Sequence, residues 1–195
     1  MIINILFFEN FEPLDAFGPI EVFSRYPEAE LRYISLQGGI VTSNHGIEIN
    51  TVKAAPEDLQ GVLLVPGGMG TRTLVNDPQF IADLKTMAEA SDYCLTVCTG
   101  SALLAKTGLI DGLKATGNKR AFGWTRSVNE NVRWIEHARW QTDGKYYTSS
   151  GVSAGMDMAL AFMADRFGKD RAEEAADQIE YIWNKDPQND PFVKS

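Results

Sequence analysis

Histidine and cysteine are scarce in this sequence, and positive charge is in deficit. The 195 residues include only His45 and His137, and only Cys94 and Cys98. Neither pair sits at metal-ligand spacing with Asp or Glu, so no metal is expected. Two cysteines four apart do not make a disulfide framework, and reduced thiols suit a cytoplasmic protein. Lys and Arg total 18 against 26 Asp and Glu, a formal net charge of −8. That balance disfavours a nucleic-acid surface and suits a small, neutral substrate molecule. Long apolar runs are also missing: the opening Met1-Ile2-Ile3-Asn4-Ile5-Leu6 has no basic region before it, no cleavage site after it, and far too few residues to span a bilayer. No membrane partner is expected. There is no Gly-x4-Gly-Lys-Ser/Thr, and Gly67-Gly68-Met69-Gly70 lacks the Gly-x-Gly-x-x-Gly spacing, so no nucleotide cofactor is expected. Without repeats, low-complexity tracts or a Pro/Ser-rich linker, residues 1–195 read as one domain.

What is present is a globular composition, 44% hydrophobic and 23% charged. Apolar runs of strand length alternate with segments of helical period, which predicts an α/β fold with a mainly parallel central sheet flanked by helices. Strands are expected over 2–8, 31–36, 61–65, 93–97 and 145–149, with a hairpin over 40–52. Helices are expected over 13–25, 78–90, 102–106, 153–167 and 169–183. Gly18-Pro19 should disturb the first turns of 13–25, whereas Asp77 and Pro78 form a conventional helix start. Residues 115–147 carry mixed signals, and 184–195 read as loop.

In such a sheet, ligands bind beyond the carboxyl ends of the strands. Three loops gather there: 9–15, 66–70 and 98–101. A cysteine at a tight strand-to-helix turn is lifted out of the sheet toward a positive helix end, which favours thiolate. Backbone N–H groups of Thr99, Gly100 and Gly68 point toward the same space as an anion or oxyanion pocket. The plainer alternative for Cys98 is a small buried apolar side chain, and Cys94, in mid-strand, reads as that. A nucleophilic thiol needs a proton partner, and neither histidine is well placed by sequence. Asp15, just after the first strand, is the better candidate, the alternative being a carboxylate that only stabilises a helix start. Glu173 and Glu174 read as a solvated helix face.

Leu14-Asp15-Ala16-Phe17-Gly18-Pro19, Val65-Pro66-Gly67-Gly68-Met69-Gly70 and Val97-Cys98-Thr99-Gly100-Ser101, in that order, resemble the DJ-1/PfpI superfamily, in the branch that contains isocyanide (isonitrile) hydratases and the amidase-like domains of AraC-type regulators. The likeness continues through 105–112, 150–157 and 179–181. It implies a flavodoxin-like sandwich, a homodimer, and catalysis by Cys98 as nucleophile, Asp15 as acid/base and Thr99 at the reacting centre. Gly68, Met69, Gly100, Asn118 and Ser150 would line the pocket, with no cofactor. The implied reaction converts isocyanides to N-substituted formamides through a thioimidate on Cys98. Other members imply glyoxalase-like, deglycase-like or amidase-like chemistry, or a redox- or metabolite-sensing domain. No DNA-reading helix-turn-helix follows Trp183, so a stand-alone regulator is not expected. In one respect the sequence departs from the resemblance: Ala115-Thr116-Gly117-Asn118-Lys119 stands where many relatives carry Ala-Thr-Thr-His-Trp. Asn118 replaces the superfamily histidine, which weakens the readings built on a Cys-His dyad more than isocyanide hydration.

Overall fold

The computed structural model describes residues 1–193; Lys194 and Ser195, the last two of the expected domain and terminal loop, lie outside the described residues. Among the described residues ten strands form, β1 Ile2–Leu6, β2 Glu30–Ser35, β3 Gly39–Thr42, β4 Glu48–Lys53, β5 Val62–Val65, β6 Tyr93–Val97, β7 Lys114–Ala115, β8 Arg133–Trp134, β9 Trp140–Asp143 and β10 Tyr146–Ser149. The helices are α1 Pro13–Ser24, α2 Thr71–Leu74, α3 Pro78–Ala90, α4 Gly100–Lys106, α5 Phe122–Val128, α6 Ala154–Phe167 and α7 Lys169–Gln178. Eight strands join one sheet in the order β3-β4-β2-β1-β5-β6-β10-β9, while β7 and β8 pair separately. From β4 to β10 the neighbours run parallel, and only the edge strands β3 and β9 are antiparallel. This is the α/β arrangement with a mainly parallel sheet expected from the alternation of strand and helix signals, and the flavodoxin-like sandwich that the resemblance implies.

Burial follows position in the sheet. Val62, Leu63, Leu64 and Val65 of β5 are fully buried, as is Ile3, Ile5 and Leu6 of β1, because helices cover both faces of the central strands. The chain leaves β1 toward β2 on one side and later returns to β5 on the other. The order of strands therefore reverses between β1 and β5, and a crevice opens at their carboxyl ends.

The structure corrects two sequence-based expectations. Gly18-Pro19 does not disturb α1, which is continuous from Pro13 to Ser24 with Pro19 inside it. These two residues serve close packing instead: a Cβ on Gly18 would lie 2.8 Å from Met156 Cγ, and one on Gly155 would lie 3.3 Å from Pro19 Cγ, so α1 and α6 meet through small residues. The last helix stops at Gln178 rather than Trp183. Glu180 takes a left-handed φ of 52°, and Tyr181 turns back so that its hydroxyl donates to Asp157 Oδ1 at 3.0 Å. Ile182, which shares the helical spacing of Ala175 and Ile179, is 92% exposed. Asp77 caps α3 as expected, its side chain accepting from the N–H groups of Gln79 and Phe80.

Candidate active site

Three strand ends meet at the crevice, two contributing a side chain each and the third a backbone N–H. β1 leads into α1, whose first turn carries Asp15 inward to complete burial. β5 ends in Pro66-Gly67-Gly68, and the Gly67 N–H donates to Asp15 Oδ2 at 2.9 Å. A Cβ on Gly67 would come within 2.6 Å of both Thr99 N and Thr99 Oγ1 and 2.8 Å of Asp15 Oδ2, so only glycine lets these groups converge. β6 ends at Cys98, which adopts φ +60° before α4 begins. For a residue with a Cβ, this left-handed conformation costs on the order of 1–2 kcal/mol. It is held by the Cys98 N–H, which donates to Ser150 O at 3.0 Å and Ser149 O at 3.3 Å beyond β10.

The sulfur sits among donors. Asn118 Nδ2 donates to Cys98 Sγ at 3.0 Å, while its Oδ1 accepts from the Ala121 N–H at 3.0 Å, which fixes the orientation of the amide. Backbone N–H groups of Thr99 and Val152 also donate to the sulfur, and Asp15 lies in hydrogen-bond contact with it. Neither His45 nor His137 acts on the sulfur. His45 Nε2 stands 3.4 Å from Glu12 Oε1 in an exposed loop, and the His137 carbonyl accepts from the Asp190 N–H. Asp15 Oδ1 is buried with no hydrogen-bond partner among the described residues.

Electrostatics follow from burial. Desolvation is the largest cause raising the Asp15 carboxyl to about 8; the Gly67 N–H pulls it down, Glu12 pushes it up and contact with Cys98 lowers it. Desolvation also drives the Cys98 thiol upward, with the Asp15 charge adding to it, against the donors Asn118, Val152 and Thr99. Burial thus works against the thiolate expected from the helix end, since α4 offers only a short dipole and Cys98 is 6% exposed. Cys94 is fully buried in mid-sheet and pushed up to about 12 by desolvation.

The other sequence candidates divide. Thr99 is buried, its Oγ1 accepting the Gly68 N–H at 3.1 Å and lying 3.1 Å from Thr71 Oγ1. The Gly68 N–H is thus spent on Thr99 rather than free to face a ligand. Gly100 packs where a Cβ would lie 2.5 Å from Val65 O, and it sets the height of α4 above the sheet. Met69 points away, 65% exposed, with its N–H 3.4 Å from Asn44 Oδ1. Ser150 contributes its carbonyl. Two participants escaped the sequence reading. Val152 acts through its main chain, which no residue type announces, although its own φ is +41°. Arg72 stacks with Cζ 3.3 Å above the Trp124 ring, and its guanidinium feels the Cys98 charge. Beside Asn118 and Val152 opens a cavity of about 500 Å³ that Ser150, Ser153, Arg120 and Phe192 help to line.

Among the described residues, no group of three or more His, Cys, Asp or Glu side chains is arranged to hold a metal ion, and no helix is long and apolar enough to cross a membrane. The chain is similar to the isonitrile hydratase of Pseudomonas putida, 28% identical over 192 residues covering 92% of this chain and 78% of that protein. It is also similar to the HTH-type transcriptional regulator CdhR of Pseudomonas aeruginosa, 26% identical over 169 residues, 85% of this chain but only 50% of the regulator's length. Among solved structures, a THiJ/PfpI family protein from Pseudomonas syringae aligns with a TM-score of 0.80 at 28% identity, covering 98% of this chain and 77% of its own. Drosophila melanogaster DJ-1beta aligns equally well at 18% identity over 93% of this chain and 98% of its own, which speaks for the fold alone. The model of the DJ-1/PfpI family matches residues 1–165, a span that contains Asp15, Cys98 and Asn118 together, and the chain belongs to that family.

Proposed function

We propose that this protein is a cysteine-dependent hydratase that converts isocyanides to N-substituted formamides. One observation carries the reading: a buried carboxyl, Asp15, has an unpartnered oxygen beside a sulfur, Cys98, on which no imidazole acts. Cysteine hydrolases of the Cys-His type need a base that this site lacks. Isocyanide hydration needs a nucleophile and a proton delivered to the same carbon, and one carboxyl beside one sulfur supplies both. Similarity to an isonitrile hydratase supports the choice.

The reactive form holds one proton between Asp15 and Cys98. Sulfur attacks the terminal isocyanide carbon, forming the S–C bond, and Asp15 Oδ1–H gives its proton to that carbon, leaving a thioimidate and a carboxylate. The carboxylate then takes a proton from water as its oxygen bonds to the thioimidate carbon, and passes that proton to nitrogen. Collapse to the carbonyl breaks the C–S bond, and the remaining hydroxyl proton returns to Asp15. The formamide leaves and the starting form is restored. Asn118 Nδ2 and the N–H groups of Thr99 and Val152 stabilise charge on sulfur at both ends of the cycle.

Purified protein mixed with a simple alkyl isocyanide should yield the N-alkyl formamide, followed by proton NMR. Cys98→Ala should reduce formation to background, and Asp15→Asn should lower kcat by about 10²–10⁴-fold, the usual worth of a positioned acid/base. Wild-type product no greater than that of Cys98→Ala would end the hydratase reading.

A further inference from the structure

The family match ends at residue 165, yet a residue far beyond it, Phe192, lines the cavity next to the reactive sulfur. The segment that carries it is tied down. The Arg139 N–H donates to Pro187 O at 2.8 Å, the Asp190 N–H donates to His137 O at 2.8 Å, and Asp190 Oδ1 accepts from the Phe192 N–H at 3.0 Å. The buried Asp190 carboxylate lies between Lys119 Nζ at 3.9 Å and Arg139 Nη1 at 3.7 Å. Phe192 itself remains 65% exposed, an aromatic face held over an opening rather than packed into the core.

The cavity is chemically one-sided. Among the described residues no carboxylate lines it, although the chain carries a net charge of −8. Of the two cations among the described lining residues, Lys119 is occupied: Nζ donates to Thr116 Oγ1 at 2.8 Å and Ala138 O at 2.7 Å and faces Asp190. Arg120 is exposed and makes no ion pair among the described residues. Val152 and Phe192 are the apolar surfaces. Asn118 and Val152 both line the cavity and both donate to Cys98 Sγ, so the cavity adjoins the sulfur.

We propose that this cavity is the subsite for the substrate's nitrogen substituent, and that it selects an apolar body bearing a carboxylate, the body against Phe192 and Val152 and the carboxylate on Arg120. The assignment rests on the isocyanide reading above and names the substrate class within it. An Arg guanidinium binds a carboxylate through two parallel N–H donors, a geometry that a neutral substituent cannot use.

The test compares 4-isocyanobenzoate with phenyl isocyanide. Wild type should favour the carboxylate probe in kcat/KM by about tenfold, the scale of a charge-assisted hydrogen bond. Arg120→Gln should collapse the ratio between the probes to near one. Phe192→Ala should raise KM for both by about fivefold, the loss of part of an aromatic contact, with kcat little changed. A probe ratio that survives Arg120→Gln overturns the proposal. If wild type hydrates neither probe, the hydratase reading fails separately, and the subsite is read by calorimetric titration of 4-formamidobenzoate and formanilide into Cys98→Ala protein. Binding that depends on the carboxylate and on Arg120 upholds the subsite; no binding, or binding indifferent to Arg120→Gln, overturns it.

Discussion

Asp15 shows how a single residue can tax folding for the sake of a site. Its carboxyl is raised from 3.8 in the unfolded chain to about 8 by burial, so the folded state binds an extra proton between those values. The cost to stability is absent below about pH 4, grows as pH rises, and is complete above about pH 8. Asp15→Asn keeps an acceptor for the Gly67 N–H and offers Nδ2 to the sulfur, while removing the ionisation. It should therefore be more stable than wild type at pH 7, by on the order of 4 kcal/mol at most at about 1.4 kcal/mol per pKa unit, and equal to it near pH 4. Thermal melts at the two pH values check this. A variant less stable at pH 7 by a margin that persists at pH 4 would mean that the native carboxylate is paired, not merely buried. The same ionisation should appear in turnover: kcat/KM for an isocyanide should climb through about pH 8, as the form with one shared proton replaces the form with two.

At the scale of elements, the site depends on how closely α4 is pressed onto the sheet. A Cβ at Gly100 would meet Val65 O at 2.5 Å and Pro66 O at 2.7 Å, both backbone atoms that cannot swing aside. Gly100→Ala should cost on the order of 2–3 kcal/mol through overpacking and should displace Cys98 from its donors. Gly123→Ala, in α5 with open space around its Cβ, should instead gain up to about 1 kcal/mol in helix propensity. Denaturant melts of the two variants measure the contrast, and equal effects would refute the packing argument. These elements also show what was legible beforehand. Strand ends and turns announced themselves, since the apolar run Val62–Val65 and the mostly apolar Tyr93–Val97 are broken by Pro-Gly-Gly and Cys-Thr-Gly. So Asp15, Cys98 and Thr99 could be named from the chain alone. The depth of Asp15 could not, because burial is set by Gly67 and α1 together, and the donor at Val152 is backbone. The end of α7 was hidden as well: Ile179 and Ile182 keep the helical period, but a contact distant in sequence, Tyr181 with Asp157, draws the chain away.

Across the whole molecule, one buried charge cluster fastens the end of the described chain to the site. Asp157 Oδ2 accepts from Arg139 Nε at 2.8 Å, while Asp190 faces both Arg139 and Lys119, the neighbour of Asn118. Burial pulls the Lys119 amine down to about 8, with Asp190 the leading influence holding it up. A lowered lysine means that the unfolded chain, whose lysine titrates near 10.5, binds the extra proton between those values. Its penalty is therefore present at neutral pH and relieved as pH rises from about 8 toward 10.5. Asp190→Asn removes the carboxylate, lowers Lys119 further and enlarges that penalty, while leaving Arg139 with Asp157 as its remaining partner. Breaking a buried pair from one side costs on the order of 3–5 kcal/mol; the long 3.7 and 3.9 Å separations argue for the lower part of that range. The loss in melting temperature relative to wild type should be larger at pH 7 than at pH 9.5, where Lys119 has lost much of its charge in both proteins. Lys119→Met together with Asp190→Asn should recover part of the loss, since the charge stranded by the single change is then gone. A deficit identical at both pH values and untouched by the second change would show that Asp190 acts through its side-chain hydrogen bond from the Phe192 N–H rather than through its charge, and that the ion cluster is not what holds the wall of the cavity in place.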